Sequence, residues 1–325
     1  MNKKEFSIIV LHYGDQNNLF NLLDCLKNQN NNSFELCVIN NDKPFFLGEK
    51  YYDYKIVNTN NNLGYSYSCN LGYEESNTDC IFYITSDCYI EDKDFLSKMY
   101  RTYTNSDTKI VLGPNIIYQG EKVYENGLMT IDVLASPAQS LKNHFYIDGC
   151  AFMINKNFFN EIGKLDERYF LYGEDVDLCW KVHLLGGEII LDKDIYLHHE
   201  AGATSLGHDY KSDFLIPFSR RYNAEKNAIC NMIKNYSLLS LCVITPYYLF
   251  IFLLEFFYYV VTGNIKMSFH LTKAIIWNFN NLNISLKLRR NIQSKRKKSD
   301  LFILKKMNFI ANKFKYLKLG LPKFK

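Results

Sequence analysis

The sequence predicts an α/β protein: a doubly wound sheet followed by a helical region that is first apolar and finally basic. Three observations carry this. Short β-branched apolar runs alternate with stretches of helical periodicity as far as His198. An aliphatic and aromatic stretch fills residues 236–261, and from residue 266 onward 16 Lys and Arg face one acid, Asp300. With 325 residues, 47% hydrophobic and 22% charged, the chain can bury a sizeable core, which excludes a disordered chain and a disulfide-stapled mini-protein.

Residues 6–13 read as a β-branched apolar run closed by Gly14 and Asp15, the pattern of a buried parallel strand. Residues 17–28 then place Leu19, Leu22, Leu23 and Leu26 on one helical face. Strands follow at 34–40, 54–58 and 80–85, with a helix at 66–75 between the last two. Alternation of this kind puts a ligand at the carboxyl ends of the strands. Beyond Asp87 the pattern gives a helix at 93–103, a strand at 110–117, an irregular stretch at 119–143 and a strand at 146–154. A short helix at 157–162, a longer one at 174–185 ending at Gly186 and Gly187, and two short strands at 188–191 and 195–198 complete the body. No internal repeat is visible.

The 9 cysteines are scattered and never spaced Cys-x-x-Cys, which argues against a disulfide framework and a structural zinc site and for buried free thiols. The apolar run of residues 1–10 is too short for a signal peptide, so the folded body is expected in the cytoplasm. A straight helix over residues 236–261 would reach roughly 39 Å, beyond a ~30 Å hydrocarbon core, yet Pro246 and Glu255 interrupt it. A helix or hairpin lying in the membrane interface, a true span, and burial within the protein or a dimer contact are the three readings. Phe and Leu interleave the basic tail, as in Leu301-Phe-Ile-Leu304, and no RNA- or DNA-reading motif accompanies it. The expected partner is therefore an anionic membrane surface and not nucleic acid, with residues 287–298 against the headgroups.

The chemistry resides in motifs taken in order: Ser7-Ile-Ile-Val-Leu-His-Tyr13, Asn62-Leu-Gly-Tyr-Ser-Tyr-Ser-Cys-Asn70-Leu-Gly72, Thr85-Ser-Asp87, Asp148-Gly-Cys-Ala-Phe152, Gly163-Lys-Leu-Asp166, Phe170-Leu-Tyr-Gly-Glu174-Asp175-Val-Asp177, and His199-Glu-Ala-Gly202-Ala-Thr204. Over residues 5–235 this set resembles the family 2 inverting glycosyltransferases of GT-A fold, in particular the bacterial branch that includes rhamnosyltransferases of surface polysaccharide assembly. Glu225-Lys-Asn227 and the apolar stretch resemble that branch's membrane-attachment region. The resemblance implies a Rossmann-like mixed sheet, with a GT-A catalytic domain over 1–210, a helical membrane-associating region over 211–265 and a basic amphipathic tail over 266–325.

It also implies a nucleotide-sugar donor, a divalent Mg or Mn cation, and a glycan or lipid-linked acceptor at the cytoplasmic face of the bacterial inner membrane. A departing sugar diphosphate concentrates negative charge that oxygen-ligated metal neutralises. Asp87 matches the last acid of the family's Asp-x-Asp motif, and Thr85 stands at the first position, so this segment offers one carboxylate. His199 matches the histidine after the last strand and is preferred to His198 because Gly202 and Thr204 follow at the family spacing. Asp175 matches the base that takes the acceptor proton, as single in-line displacement requires. Glu174, Asp148, Gly149 and Trp180 are the acceptor-side candidates, and Asp177 is expected to orient the loop.

On the donor side the resemblance implies Leu11, Tyr13, Asn40, Asn62, Gly64, Asn70, Ser86 and Asp87. Gly64 allows close backbone approach and Asn70 can bond both chain and ligand. Asn40, followed by Asn41 and Asp42, stands where the family usually has a pyrimidine-reading aspartate. Plain structural alternatives accompany these roles: Asp87 capping a turn, Asp148-Gly149 forming one, the acids of 174–177 favouring a helix start, Trp180 in the core. A nucleotidyltransferase would need a basic phosphate-gripping loop, and residues 11–18 hold no Lys or Arg. A catalytically silent glycan- or partner-binding relative is the non-enzyme alternative, favoured by Thr85.

Overall fold

β1 (Phe6–His12) is buried along its whole length, as a mostly apolar run with strands on both sides must be. The computed structural model describes residues 4–118, 121–122, 128–140, 142, 144–200, 215–314 and 323–324. In chain order the first half continues with α1 (Gln16–Lys27), β2 (Phe34–Asn40), β3 (Lys55–Asn58), α2 (Tyr65–Glu75), β4 (Cys80–Thr85), β5 (Cys88–Tyr89), α3 (Phe95–Thr104), β6 (Ile110–Tyr118) and β7 (Glu121–Lys122). Then come β8 (Leu128–Ile131), β9 (Pro137–Ser140), β10 (Ala151–Asn155), α4 (Lys156–Glu161), α5 (Glu174–Leu184) and β11 (Glu188–His199). The C-terminal part is helical: α6 (Phe218–Asn235), α7 (Leu238–Val261), α8 (Ile265–Asn280), α9 (Leu282–Ser294) and α10 (Asp300–Leu304).

The chain forms two compact units, each discontinuous in sequence. The first comprises Met1–Gly127, Ile147–Phe170 and Gly187–His208, the second Leu128–Tyr146, Leu171–Gly186 and Asp209–Lys325. The whole main sheet belongs to the first. Its described strands run β3-β2-β1-β4-β10-β6-β11-β5, with β7 beside β6. β1 is parallel to β2 and β4, β10 is antiparallel to β4 and β6, and β11 is parallel to β6, so the sheet is mixed. The chain leaves β1 toward β2 on one side and returns to β4 on the other, a switch point that opens a crevice at the strand ends. Register fixes what lines it: His12 lies opposite Asn40, Asn40 opposite Asn58, and Leu11 opposite Thr85.

Helix α1 starts where Asp15 accepts from the Asn17 amide and buries Leu19, Leu22, Leu23 and Leu26. The two short strands expected after Gly187 are one strand, β11, whose register shifts between Asp192 and Tyr196; the charged Asp-Lys-Asp sits at that bulge, where its period-2 pattern breaks. The strand expected at 146–154 begins only at Ala151, because the Asp148 carboxylate turns the chain by accepting from the Cys150 amide. The irregular stretch contains the β8–β9 hairpin, which belongs to the second unit.

The second unit is centred on α5 and α6. Trp180 is fully buried, edge-on to Tyr236 at 4.7 Å and Phe145 at 5.8 Å. Asp177 is equally buried and accepts from Lys234 and Asn235 of α6 at 2.9 Å each, with Lys181 at 3.1 Å. Tyr172 and Gly173 both take positive φ, 72° and 82°, just before α5. That turn is fastened by Asn227, which donates to the Leu171 and Tyr172 carbonyls, and by Asn231, which donates to that of Gly173. α7 stays helical through Pro246 and is long and apolar enough to cross a membrane. Two of the basic residues expected against headgroups are engaged within the protein: Arg289 donates to the Ile233 and Tyr236 carbonyls, and Arg296 pairs with Asp300.

Candidate active site

β4 ends at Thr85, and the chain turns at once through Ser86 and Asp87 into β5. β11 runs antiparallel to β5, setting His199 opposite Cys88 and His198 opposite Tyr89. Strand alternation sends the two imidazoles to opposite faces. The His199 Nε2 lies 3.3 Å from the Asp87 Oδ2, whereas the His198 Nε2 faces Glu91 at 3.5 Å. Thr85, where the family has an acid, donates its hydroxyl to the Asp87 Oδ1 at 2.6 Å.

Asp87 and His199 keep only 12% and 13% of their side chains exposed, so little water screens them. Burial raises the Asp87 pKa, but the His199 ring and the Thr85 hydroxyl outweigh it and hold the carboxyl below its ordinary range. Burial likewise disfavours a His199 cation, and the Cys88 sulfur, the Asp87 carboxylate and Asp148 reverse that, raising its pKa. A carboxylate and an imidazole so placed are a donor pair suited to Mn²⁺ or Mg²⁺ once the ring gives up its proton.

Ser86 extends the site toward β1. Its amide donates to the Leu11 carbonyl, and its hydroxyl shares a 2.9 Å hydrogen bond with the His12 Nδ1. Burial lowers the His12 pKa against the pull of Asp42, Asp15 and Asp87, which keeps this ring neutral. His12, Gly14, Gln16, Asp42, Lys43 and Phe45 line a cavity of about 310 Å³ at the strand ends. Tyr13, next to it in sequence, is 41% exposed, and Leu11 is buried.

Other expected donor residues are used by the chain itself. Asn40 is fully buried, donates to the Lys43 carbonyl and the Asn58 Oδ1, and accepts from the Asp42 amide. The acid that reaches the cavity is instead Asp42, two positions on, which accepts from the Gly14 amide at 3.2 Å. Asn70 donates to the Leu165 carbonyl and Glu167 and accepts from the Leu165 amide, bracing that loop. Asn62 accepts from Asn41 and from the Gly64 amide. Gly64 does permit a close approach, but by Phe170, whose carbonyl would lie 2.7 Å from an added Cβ.

On the acceptor side, Asp148 contributes to the charge around His199, and the Gly149 carbonyl accepts from the Tyr65 hydroxyl. Glu174 and Asp175 open α5 in the second unit, where Asp175 accepts from the Val176 amide at 2.7 Å. Trp180 is a core residue there, so its ring has no face for a sugar. Gly202 and Thr204 lie outside the described residues. Sequence reasoning missed His12, Lys43 and Phe45; the signal for His12 was its place as the last residue of a buried strand.

The sheet order, its switch point and the acid after β4 define a mixed α/β fold of the GT-A type, and solved structures agree. GalNAc-T7 with UDP, GalNAc and Mn²⁺ superposes with a TM-score of 0.57 at 14% identity, over 72% of this chain and 48% of that one. S. aureus TarS 1–349 with UDP gives 0.51 at 17% identity, over 71% and 66%. The mannosyltransferase PcManGT from Pyrobaculum calidifontis, with GDP-Man and Mn²⁺, gives 0.50 at 10% identity, over 90% and 86%. At these identities the likeness is one of fold. Residues 7–163, just under half of the chain, match the family described as Glycosyl transferase family 2. Low-salt glycan biosynthesis hexosyltransferase Agl10 of Haloferax volcanii is 22% identical over 192 residues, 54% of this chain and 61% of that protein. The match therefore spans less than two thirds of that relative's length.

Proposed function

We propose that the protein is an inverting, metal-dependent glycosyltransferase that moves a sugar from a nucleotide-diphosphate donor to a lipid-linked or polysaccharide acceptor in bacterial surface-glycan assembly, in the manner of the rhamnosyltransferase-like branch. The observation that carries this is the largely enclosed Asp87–His199 pair, joined through Ser86 and His12 to the cavity at the β1–β4 switch point. Neighbours of this fold bound to UDP or GDP-Man and Mn²⁺ support the same reading.

In this reading Asp42 and Phe45 face the nucleoside, while Asp87 and His199 would hold a divalent cation at the diphosphate. When bound, that cation supplies positive charge against the leaving group. The acceptor oxygen forms its bond to the anomeric carbon as the carbon–phosphate oxygen bond breaks, and the acceptor proton passes to the Asp175 carboxylate. Neutral His12 keeps Ser86 in place without adding charge.

A screen of nucleotide sugars for metal-dependent release of nucleoside diphosphate tests the proposal. Asp87→Asn and His199→Ala are expected to lower turnover by about 100-fold or more, and Asp175→Asn to abolish transfer while donor binding persists. Wild-type turnover in Asp175→Asn would remove the assigned base. Thr85 in place of an acid favours one other reading, a silent glycan-binding relative; failure to turn over any nucleotide sugar despite tight glycan binding would establish it.

The apolar face of α7 supports a location at the cytoplasmic face of the inner membrane. Ile244, Tyr248, Ile251, Phe252 and Tyr259 are buried at helical spacing, whereas Leu239, Val243, Leu249, Phe250, Leu253, Leu254 and Phe257 on the remaining surface are exposed. One face held by protein and one bare apolar face suit a monotopic helix lying along the interface.

A further inference from the structure

We propose that Cys88, Cys150 and His199 form a binding site for a soft divalent cation, zinc by preference, with a fourth coordination position left open. One ligand atom from each residue lies within 4.8 Å of the other two. The three come from separate places in the first unit: β5, the residue before β10, and the last residue of β11. Their meeting is dictated by the sheet. His199 is the antiparallel register partner of Cys88, and the Cys150 carbonyl accepts from the Thr85 amide at 2.8 Å and receives the Cys88 thiol at 3.8 Å.

Chemistry distinguishes this set from the oxygen-rich pair beside it. Two thiolates and an imidazole select Zn²⁺ or Cd²⁺ over Mn²⁺ or Mg²⁺. Zinc–sulfur and zinc–nitrogen bond lengths imply ligand separations of ~3.8 Å between sulfurs and ~3.5 Å from sulfur to nitrogen, compatible with a cluster held within 4.8 Å. The histidine is already arranged for such a role. Its Nε2 faces Asp87 at 3.3 Å, while its Nδ1 is buried without a hydrogen-bond partner among the described residues. Ligation through Nδ1 with a carboxylate on the other ring nitrogen is the usual way a protein orients a zinc-bound imidazole. The Thr85 hydroxyl, 3.4 Å from the Cys88 sulfur, completes the surroundings.

Spacing along the sequence gave no sign of this site because its ligands stand 62 and 49 residues apart. The proposal needs no assumption about sugar transfer. Where the transferase reading holds, His199 serves both sites, so a soft ion on the thiols slows transfer by withholding the ring from the diphosphate.

Cadmium titration of the reduced, chelator-stripped full chain, followed at the ultraviolet thiolate-to-cadmium band, tests the site without donor or acceptor. The expected result is saturation at one equivalent with the intensity of two thiolates, reversal by Zn²⁺ and indifference to a large excess of Mn²⁺. Cys88→Ser and Cys150→Ser should each halve the band, and the exposed-thiol control Cys242→Ser should leave it intact. Circular dichroism of each variant reports its fold. Absence of the band in the folded wild-type protein, or its full persistence in either folded serine variant, would overturn the proposal; inactivity toward nucleotide sugars would not touch it.

Discussion

Thr85 and Gly64 show how one residue can be legible in kind and misread in purpose. Thr85 lacks the charge of the acid it replaces, yet its hydroxyl holds the Asp87 carboxylate. Gly64 reads as a place of close backbone approach to a ligand; it takes a φ of 90°, and the atoms near it are the Phe170 carbonyl, Cα and ring. A sequence specifies the need for a small residue without naming what comes near. Gly64→Ala is expected to cost about 2 kcal/mol, from the left-handed backbone and displacement of Phe170. A denaturant midpoint equal to wild type would remove that explanation. Asn40 on β2 and Asn70 on α2 teach the same lesson: both amides bond the chain's own polar groups, whose burial without a partner would be costly.

At the scale of elements, β1, β2 and β4 were legible because each is a mostly buried run bounded by turn residues, and β3, a half-exposed edge strand, by its place in the alternation. The helices after residue 215 were harder, since their inward faces carry charges that periodicity alone reads as surface. Glu255 illustrates this. In sequence it interrupts an apolar stretch; in the structure it and Glu225 meet Arg221 and Lys313 in a closed cluster with ion-pair distances of 2.6–3.0 Å, and Tyr248 donates to Glu225 at 2.8 Å. These contacts fasten α7 to α6. Burial alone would raise the Glu225 pKa, but Lys313 and Arg221 dominate and bring it from 4.5 down to about 2. Because the folded value lies below the unfolded one, this carboxylate stabilises the fold at neutral pH, and its contribution fades as the pH falls from about 4.5 through about 2. Glu225→Gln leaves two largely enclosed cations sharing one acid and should cost about 3 kcal/mol at pH 7. Urea unfolding at neutral and acid pH measures both; an unchanged neutral midpoint would show that the cluster does not hold α7.

At the scale of the molecule, the charge asymmetry and the apolar helix bear on one partner. The 16 basic residues after position 265 confront a single acid, and α8 adds exposed Ile265, Phe269, Ile276 and Phe279 to the bare face of α7. Arg289, Arg296 and Lys313 are turned to protein partners, so in the proposed membrane reading attraction to a surface falls to the remaining cations, each of which would contribute on the order of 1 kcal/mol to binding anionic lipid. Insertion of the apolar face adds a term that salt does not screen, roughly 1.5–3 kcal/mol for each large side chain fully buried. The two terms separate experimentally. Wild-type protein should bind phosphatidylglycerol-containing vesicles more tightly than neutral ones, weaken in high salt, and still co-sediment. Phe250→Glu combined with Leu253→Glu, on the exposed face away from the Glu225 cluster, should lower vesicle affinity at least tenfold at either salt concentration. If high salt releases the wild-type protein completely, or if the double variant binds as well as wild type, α7 does not enter lipid, and its exposed face must be covered by protein instead.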